Sequence, residues 1–171
     1  MISLKNILEV EGITSYQIYC DMDGVIADFE ARFDHFFGIP PQEYEAKYGK
    51  KAFWNQIDNN IGVRFWVGIP WMPDGHQLWD YIKKYNPILL SSPSSSESSK
   101  LGKRLWVKKY LPGTKLILAS PERKAEQAGE GKILIDDRFE PNIRMWREKG
   151  GIGIHHKSAA DTIAQLKELG L

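Results

Sequence analysis

Two aspartates separated by one residue, Asp21 and Asp23, are the side chains of this chain whose type and spacing most directly suggest chemistry. They follow the apolar run at residues 18–20, and Gly24 comes next, which frees the backbone to turn. Carboxylates spaced in this way at the end of a strand can share one metal ion. Asp and Gly are also common in turns that do no chemistry, so the pair alone leaves both interpretations open.

Polar side chains also follow three later apolar runs, at residues 88–90, 116–119 and 133–135. In chain order these side chains are Ser91 and Ser92, then Ser120 and Lys124, then Asp136 and Asp137. Because the carboxyl ends of parallel strands lie along one edge of an open sheet, we expect all of them to meet Asp21 and Asp23 in one crevice.

This set of side chains limits the chemistry. Carboxylates without clustered His or Cys select a hard cation, and Mg²⁺ held by few carboxylates is the ordinary partner of phosphate groups. A hydroxyl and a lysine facing that ion could hold phosphoryl oxygens, which leaves one carboxylate as a nucleophile and one as an acid/base. A calcium loop of the EF-hand type does not fit, because that loop needs glycine at its sixth position and glutamate at its twelfth. Counted from Asp21, Gly24 is fourth and Arg32 is twelfth.

The elements that would position these residues alternate between strands and helices. Strands are expected at residues 16–20, 88–90, 116–119, 133–135 and 151–154, and helices at residues 3–10, 25–37, 74–85, 97–110, 141–149 and 159–169. The strands are continuously apolar, which is typical of a parallel sheet covered on both faces, so we predict an α/β fold. Asp74 is expected to cap the helix that follows it, and Leu101, Leu105 and Trp106 to share one face of theirs.

Residues 41–68 interrupt this alternation with two or three short helical patterns, many aromatic residues and no strand candidate. We therefore expect a small helical insertion. The predicted domains are an α/β core at residues 1–38 and 69–171 and a helical cap at residues 39–68.

Composition sets the class of protein. The 171 residues fit one domain, with 42% hydrophobic and 26% charged residues and a net charge of +1, which is a globular composition without a basic field for long nucleic acid. The single cysteine, Cys20, excludes an internal disulfide and is expected to pack inside the first strand. The sequence has no apolar run of roughly 20 residues and no secretion-signal pattern at its start, so a cytoplasmic protein is expected.

The motif DMDGVIADFE at residues 21–30 resembles the first motif of the haloacid dehalogenase (HAD) superfamily of phosphohydrolases. ILLSSP at residues 88–93, Lys124 and ILIDD at residues 133–137 resemble its second, third and fourth motifs in order. The closest group that the chain resembles is the 5'(3')-deoxyribonucleotidases, which combine a DMDGV-x-ADF opening, a strand ending in Ser/Thr-Ser-Pro and a late LIDDR. The match spans residues 16–154, and it implies a Rossmann-like sheet with a helical cap inserted after the first motif.

The resemblance implies a role for each carboxylate. Asp21 would be the nucleophile that forms an aspartyl-phosphate, and Asp23 would protonate the departing sugar oxygen and then take a proton from the hydrolytic water. Mg²⁺ would be held by Asp21, the backbone carbonyl of Asp23 and Asp136, with Asp137 either a ligand or an orienting neighbour.

The phosphoryl group would be bound by Ser91 and Lys124. Ser92 is the alternative to Ser91 within the serine run, and Arg138 is a weaker candidate. Lys132 is the alternative to Lys124, but it begins the fourth strand and therefore lies far from that strand's carboxyl end.

Substrate specificity is expected to come from aromatic residues. Phe29, Phe65 and Trp66 are expected to face the nucleophile, because an aromatic wall suits a nucleobase. Three other tryptophans are expected to pack the cap and core instead: Trp54, Trp71 and Trp79. The adjacent His155 and His156 should point to opposite sides, so they are not expected to share a metal.

We therefore predict a Mg²⁺-dependent phosphomonoesterase that acts on nucleoside monophosphates. The alternatives are a sugar-phosphate or polynucleotide-end phosphatase of the same superfamily and a catalytically silent binding protein, which the presence of both Asp21 and Asp23 disfavours. A basic strip would favour the polynucleotide, but the five basic residues of the helix at 97–110 are expected to form a solvated face: Lys100, Lys103, Arg104, Lys108 and Lys109. The expected partner is a small phosphomonoester such as a deoxyribonucleotide, with no membrane and no long nucleic acid, and a homodimer is left open.

Overall fold

One parallel sheet of five strands, in the order β3-β2-β1-β4-β5, organises the computed structural model, which describes residues 15–171. The strands are β1 Gln17–Cys20, β2 Ile88–Ser91, β3 Leu116–Leu118, β4 Lys132–Asp136 and β5 Ile152–His155. The predicted α/β fold with a parallel sheet is confirmed. The helix expected at residues 3–10 lies outside the described residues.

Nine α-helices follow or separate these strands in the described part of the chain. They are α1 Phe29–Phe37, α2 Pro41–Tyr48, α3 Lys50–Asn55, α4 Val63–Val67, α5 Gly75–Ile82, α6 Glu97–Tyr110, α7 Pro121–Ala125, α8 Arg144–Glu148 and α9 Ala159–Glu168. Short π-helical turns occupy Gln56–Ile61 and Phe139–Ile143, and a 3-10 turn occupies Lys83–Tyr85. Between residues 15 and 171, no helix combines the length and the apolar character that a membrane crossing requires.

The two faces of the sheet carry two separate apolar layers because successive side chains of a strand point to opposite sides. In β1, Ile18 and Cys20 join the larger layer, whereas Tyr19 joins the smaller one with Leu134 and Trp146. Both layers exclude water from the central strands, which explains why those strands are continuously apolar. The polar residues at the strand ends are therefore held on a rigid frame.

The inserted helices form an aromatic cluster over the carboxyl edge of the sheet. Phe33 of α1 is fully buried, and its ring centroid lies 4.9 Å from that of Phe53 and 5.4 Å from that of Tyr44. Helix α1, which precedes the expected boundary at residue 38, thus packs its aromatic face on the inserted helices. The segment that precedes the inserted helices and the segment that follows them lie side by side, since Ala27 pairs with Trp71 in an antiparallel bridge.

Helix α6 connects this cap to the core, and its buried face differs from the predicted one. Leu101 and Leu105 are 47% and 36% exposed, and only Trp106 of the three predicted residues is buried. The buried face instead consists of Ser99, Gly102, Lys103, Trp106 and Val107. Glycine at position 102 allows close packing on the cap, because a Cβ there would lie 2.2 Å from Cβ of Trp66.

Asp74 has a different partner from the predicted one. It stands at the start of α5, but its side chain makes no capping hydrogen bond to that helix. Its Oδ2 accepts a 2.6 Å hydrogen bond from the backbone N–H of Ala159, the first residue of α9. Asp74 therefore satisfies a free N–H at the start of the closing helix, which is a tertiary contact that local sequence does not reveal.

Candidate active site

Asp21 follows the last residue of β1 and is 6% exposed. The ammonium of Lys124 lies 3.1 Å from Oδ1 of Asp21 and 3.0 Å from Oδ2 of Asp136. Lys124 belongs to α7, which begins at Pro121. Ser120 caps the start of this helix, because its hydroxyl accepts a hydrogen bond from the N–H of Arg123. The two carboxylates compensate the charge of this fully buried lysine.

The charge state of Lys124 follows from this arrangement. Burial alone would lower the pKa of Lys124, but the carboxylates of Asp21 and Asp136 outweigh burial and raise it. The side chain therefore remains an ammonium. Lys132, the alternative considered from the sequence, is the first residue of β4 and lies at the opposite end of that strand from Asp136.

Asp136 is the last residue of β4 and is fully buried. Its Oδ1 accepts hydrogen bonds from the N–H of Arg138 at 2.9 Å and from Nδ2 of Asn142 at 3.0 Å. Its Oδ2 accepts from Lys124 and, at 2.9 Å, from the same Asn142 nitrogen. Asn142 thus orients Asp136, and no motif in the sequence pointed to it.

Asp137 lies beside these groups against the turn that follows Asp21. Gly24 has a φ of +76°, and a Cβ at this position would lie 2.2 Å from Oδ2 of Asp137. Only glycine therefore fits the turn, both for its backbone conformation and for the space that Asp137 occupies. Gly24 therefore leaves the space that the carboxylate of Asp137 occupies.

Oxygens of Asp21, Asp136 and Asp137 lie within 4.8 Å of one another. Burial first, and then the charge of Asp21, raises the pKa of Asp136 to about 6. Burial and the charges of Asp21 and Asp136 raise that of Asp137 to about 7. Three carboxylates around one ammonium leave a net negative charge, and a small movement would bring their oxygens to the ligand distances of about 2.1 Å that Mg²⁺ requires.

The side chain of Asp23 is not part of this group and has a different cation as its partner. Its Oδ2 accepts a 2.6 Å hydrogen bond from Nζ of Lys103, and the same ammonium donates to Oγ of Ser91 at 3.1 Å. Lys103 is 1% exposed, so the prediction that it belongs to a solvated face is wrong. The prediction holds for Arg104, Lys108 and Lys109, which are exposed, whereas Lys100 is half-buried.

The two serines after β2 occupy different environments. Ser91 is 1% exposed, and its hydroxyl accepts the hydrogen bond from Lys103. Ser92 is partly buried, and its Oγ has no hydrogen-bond partner among the described residues. Both serines line the cavity described next. Their hydroxyls are therefore two candidate donors to a bound phosphoryl group.

A cavity of about 700 Å³ lies between the carboxyl edge of the sheet and the cap. Asp21, Asp23, Lys124, Asp137 and Arg138 line its core side. The residues predicted at the strand ends thus share one cavity, except Asp136 and Ser120, which are not among its lining residues. Asp136 is fully buried and bonds to Lys124, and Ser120 caps α7.

Phe29, Trp54 and Trp66 form the aromatic side of this cavity. Phe29 and Trp66 were expected there, whereas Trp54 was expected to pack inside. Phe65 is fully buried outside the cavity lining, and its ring centroid lies 5.2 Å from that of Phe29. It therefore does not face the nucleophile as expected but supports a residue that lines the cavity.

The other predicted packing residues behave differently from the cavity residues. Trp71 stacks on His76 with ring centroids 4.0 Å apart, and Trp79 packs at the margin of the core. His155 contacts the backbone carbonyl of Asp137 through Nε2 at 3.0 Å, whereas His156 contacts Thr162. Cys20 is buried, and burial raises its pKa well above the ordinary value, so it is unsuited to act as a thiolate.

No protein-family model and no curated protein matches the sequence. Solved structures do match the fold. A haloacid dehalogenase-like family hydrolase from Xanthomonas campestris has a TM-score of 0.56 at 10% identity, covering 91% of this chain and 96% of its own. A HAD phosphatase from Thermococcus onnurineus has a TM-score of 0.55 at 12% identity, covering 89% and 98%.

A third structure is the HAD-hydrolase YfnB from Bacillus subtilis, solved bound to magnesium. It has a TM-score of 0.54 at 13% identity, with 92% of this chain and 100% of its own covered. At such low identities the likeness is one of fold. The chain therefore has the Rossmann-like fold of HAD hydrolases.

Proposed function

We propose that the protein is a Mg²⁺-dependent phosphomonoesterase that hydrolyses nucleoside monophosphates through an aspartyl-phosphate on Asp21. The observation that carries this proposal is the position of Asp21 at the base of the cavity. Its carboxylate lies among those of Asp136 and Asp137 and 3.1 Å from the ammonium of Lys124, and it is accessible from the cavity. The fold shared with HAD hydrolases supports phosphoryl chemistry at this place.

The first half of the reaction transfers the phosphoryl group to Asp21. A carboxylate oxygen of Asp21 bonds to phosphorus while the bond from phosphorus to the sugar oxygen breaks. Asp23, as the general acid, gives a carboxyl proton to the departing oxygen, because an alkoxide is a poor leaving group. The ammonium of Lys124 forms ion pairs with Asp21 at 3.1 Å and with Asp136 at 3.0 Å, and these hold the attacking carboxylate in place.

The second half releases inorganic phosphate. Water attacks the phosphorus of the aspartyl-phosphate, Asp23 takes the proton of that water, and the bond between phosphorus and the Asp21 oxygen breaks. The hydroxyls of Ser91 and Ser92 donate to phosphoryl oxygens throughout. When bound by Asp21, Asp136, Asp137 and the carbonyl of Asp23, Mg²⁺ supplies positive charge for those oxygens.

The aromatic side of the cavity supports a nucleobase as part of the substrate. Phe29 and Trp54 are half-buried and line the same cavity as Asp21, and Trp66, which is 2% exposed, lines it from behind them. Stacking of a base on aromatic rings contributes about 1–3 kcal/mol per base and does not depend on which base is present. This wall therefore selects for a planar group without selecting one base strongly.

A second candidate function is the hydrolysis of sugar phosphates. The cap side of the cavity carries hydrogen-bond acceptors at Asp28, Glu30 and Gln42, and Glu30 and Gln42 are hydrogen-bonded at 2.8 Å. Acceptors of this kind suit sugar hydroxyls. A polynucleotide end is disfavoured, because among the cavity-lining residues of the described range 15–171 only Lys124 and Arg138 are basic.

Phosphate release from a panel of nucleoside monophosphates and sugar phosphates, with Mg²⁺ and with chelator, tests this proposal. We expect release from nucleotides that requires Mg²⁺ and is lost in Asp21→Asn. Asp34→Asn is the matched control, because Asp34 is an exposed aspartate of α1 outside the cavity. A purified protein that releases phosphate from no monoester contradicts the proposal, and preference for sugar phosphates favours the second candidate.

A further inference from the structure

Lys103 is a buried cation that the proposed reaction does not yet use. It lies in the middle of α6, is 1% exposed and is not part of the cavity lining. A buried ammonium is strongly unfavourable unless charged and polar partners surround it. The partners of Lys103 are Asp23, Ser91 and the ring of Trp66, whose centroid lies 5.1 Å from Nζ. Each of these three lines the cavity.

The direction of the hydrogen bond to Ser91 follows from chemistry. An ammonium can only donate, so Oγ of Ser91 must accept from Lys103. The hydroxyl hydrogen of Ser91 is then left for another acceptor, and within residues 15–171 its Oγ makes no other hydrogen bond. Because Ser91 lines the cavity, that hydrogen is available to a phosphoryl oxygen.

The hydrogen bond from Lys103 to Asp23 involves one of the two carboxylate oxygens. Oδ2 is held at 2.6 Å by Lys103. Oδ1 is buried and has no hydrogen-bond partner among the described residues. Asp23 lines the cavity, so the bond from Lys103 fixes the rotation of the carboxyl group that faces the substrate, and no second hydrogen bond within the described residues competes with it.

The cap holds Lys103 in this position. Trp66 lies over Lys103, and it packs so closely on Gly102 that a Cβ there would lie 2.2 Å from its own Cβ. The indole N–H of Trp66 donates to Oδ1 of Asp58 at 3.1 Å, and Ser98 of α6 donates to the backbone carbonyl of Asp58 at 3.0 Å. The same contact of Trp66 and Asp58 with α6 thus attaches the cap to this helix and holds Lys103 in position.

We infer that Lys103 is a positioning residue that orients both the proton-transferring carboxyl of Asp23 and the phosphoryl-binding hydroxyl of Ser91, an inference that rests on the proposed phosphatase function. Lys103 itself does not touch the substrate. Loss of Lys103 should therefore impair proton transfer to a poor leaving group more than phosphoryl transfer from a good one.

The test measures kcat/KM of the wild type and of Lys103→Met for two substrates. A nucleoside monophosphate has an alkoxide leaving group, whereas the leaving group of 4-nitrophenyl phosphate does not need a proton. General acid catalysis is worth about 10²–10⁴-fold, so we expect the kcat/KM for the nucleotide divided by that for 4-nitrophenyl phosphate to be at least about tenfold lower in Lys103→Met than in the wild type. Lys108→Met, an exposed lysine of the same helix, should leave the ratio unchanged. Lys103→Arg, which keeps a cation, should recover part of the loss.

A purely structural role gives a different result. If Lys103→Met lowers both kcat/KM values equally, or neither, the inference is wrong. In an Asp23→Asn background the ratio should not fall further on adding Lys103→Met, and a further fall also contradicts the inference. If Lys103→Met does not fold, Lys103→Gln carries the same comparison. Failure of the wild type to release phosphate from either substrate would instead overturn the proposed function itself.

Discussion

The ammonium of Lys124 lies 3.1 Å from a carboxylate oxygen of Asp21, and neither side chain is more than 8% exposed. This contact joins the carboxyl end of β1 to α7 in the interior of the protein. Since Asp136 approaches the same ammonium at 3.0 Å, one lysine compensates two buried carboxylates. Stability and activity should both depend on it.

Lys124→Met should lower the free energy of unfolding in chelator by about 3 kcal/mol, because it leaves Asp21 and Asp136 buried without their cation. Added Mg²⁺ should recover part of this loss by binding the same carboxylates. Urea unfolding with and without Mg²⁺ measures both effects. The control is Lys132→Met, at the other end of β4, and an equal loss in that variant would contradict the role of Lys124 as the cation that compensates Asp21 and Asp136.

Mg²⁺ should stabilise the protein more as the pH rises. The pKa values of Asp136 and Asp137 are raised from 3.8 to about 6 and about 7, so the folded metal-free protein binds protons that the unfolded chain has lost. Its stability therefore falls as the pH rises through this range, whereas Mg²⁺ binding needs the ionised carboxylates.

The increase in Tm on adding Mg²⁺ should accordingly be small near pH 5 and largest near about pH 8. Thermal unfolding across this range measures it. Asp137→Asn removes the higher of the two titrations and should weaken the pH dependence. An Mg²⁺ shift of equal size at every pH would argue against a metal site at these carboxylates.

Gly24→Ala should disrupt the site beyond the strain of its backbone. Gly24 and Gly38 both have positive φ values, of +76° and +67°, so alanine at either position should destabilise the fold by roughly 1–2 kcal/mol. Only at Gly24 does the added methyl meet Asp137, since nothing lies within 4 Å of the corresponding point at Gly38. Gly24→Ala alone should reduce the Mg²⁺-dependent rise in Tm, and an equal reduction in Gly38→Ala would show that strain is the whole cause.

Trp54→Leu should raise KM for nucleotides by about tenfold through loss of ring stacking, with little change in KM for a small alkyl phosphate. Steady-state kinetics on the two substrates measures the difference. Phe65→Leu is a useful comparison, because Phe65 lies behind the cavity and should affect stability more than substrate preference. Equal changes in KM for both substrates in Trp54→Leu would contradict a role for the aromatic side of the cavity in binding the nucleobase.

The strand ends were predictable because apolar runs followed by polar residues have one simple physical explanation in a parallel sheet. The same argument favoured Lys124 over Lys132, since a residue that begins a strand lies at the wrong edge. Lys103 was missed because Leu101 and Leu105 were assumed to define the buried face of α6. The spacing of Ser99, Gly102, Trp106 and Val107 describes the actual face, and it includes position 103.

The remaining differences arise from tertiary contacts. Asn142 reaches Asp136 from a turn whose path no local pattern describes. In the cap, aromatic content alone does not decide which ring points to the cavity, so Trp54 and Phe65 exchanged their expected environments. Asp74 likewise bonds to a helix that lies far away in sequence.

Covalent labelling of Asp21 is the most direct test of the central claim. The protein is mixed with Mg²⁺ and a nucleoside monophosphate that carries labelled phosphorus, and the mixture is quenched rapidly in acid. The labelled peptide is then identified by mass spectrometry. We predict transient, Mg²⁺-dependent label on Asp21 in the wild type, with neither label nor phosphate release in Asp21→Asn. Phosphate release that persists in Asp21→Asn, or label on another residue, would contradict the account.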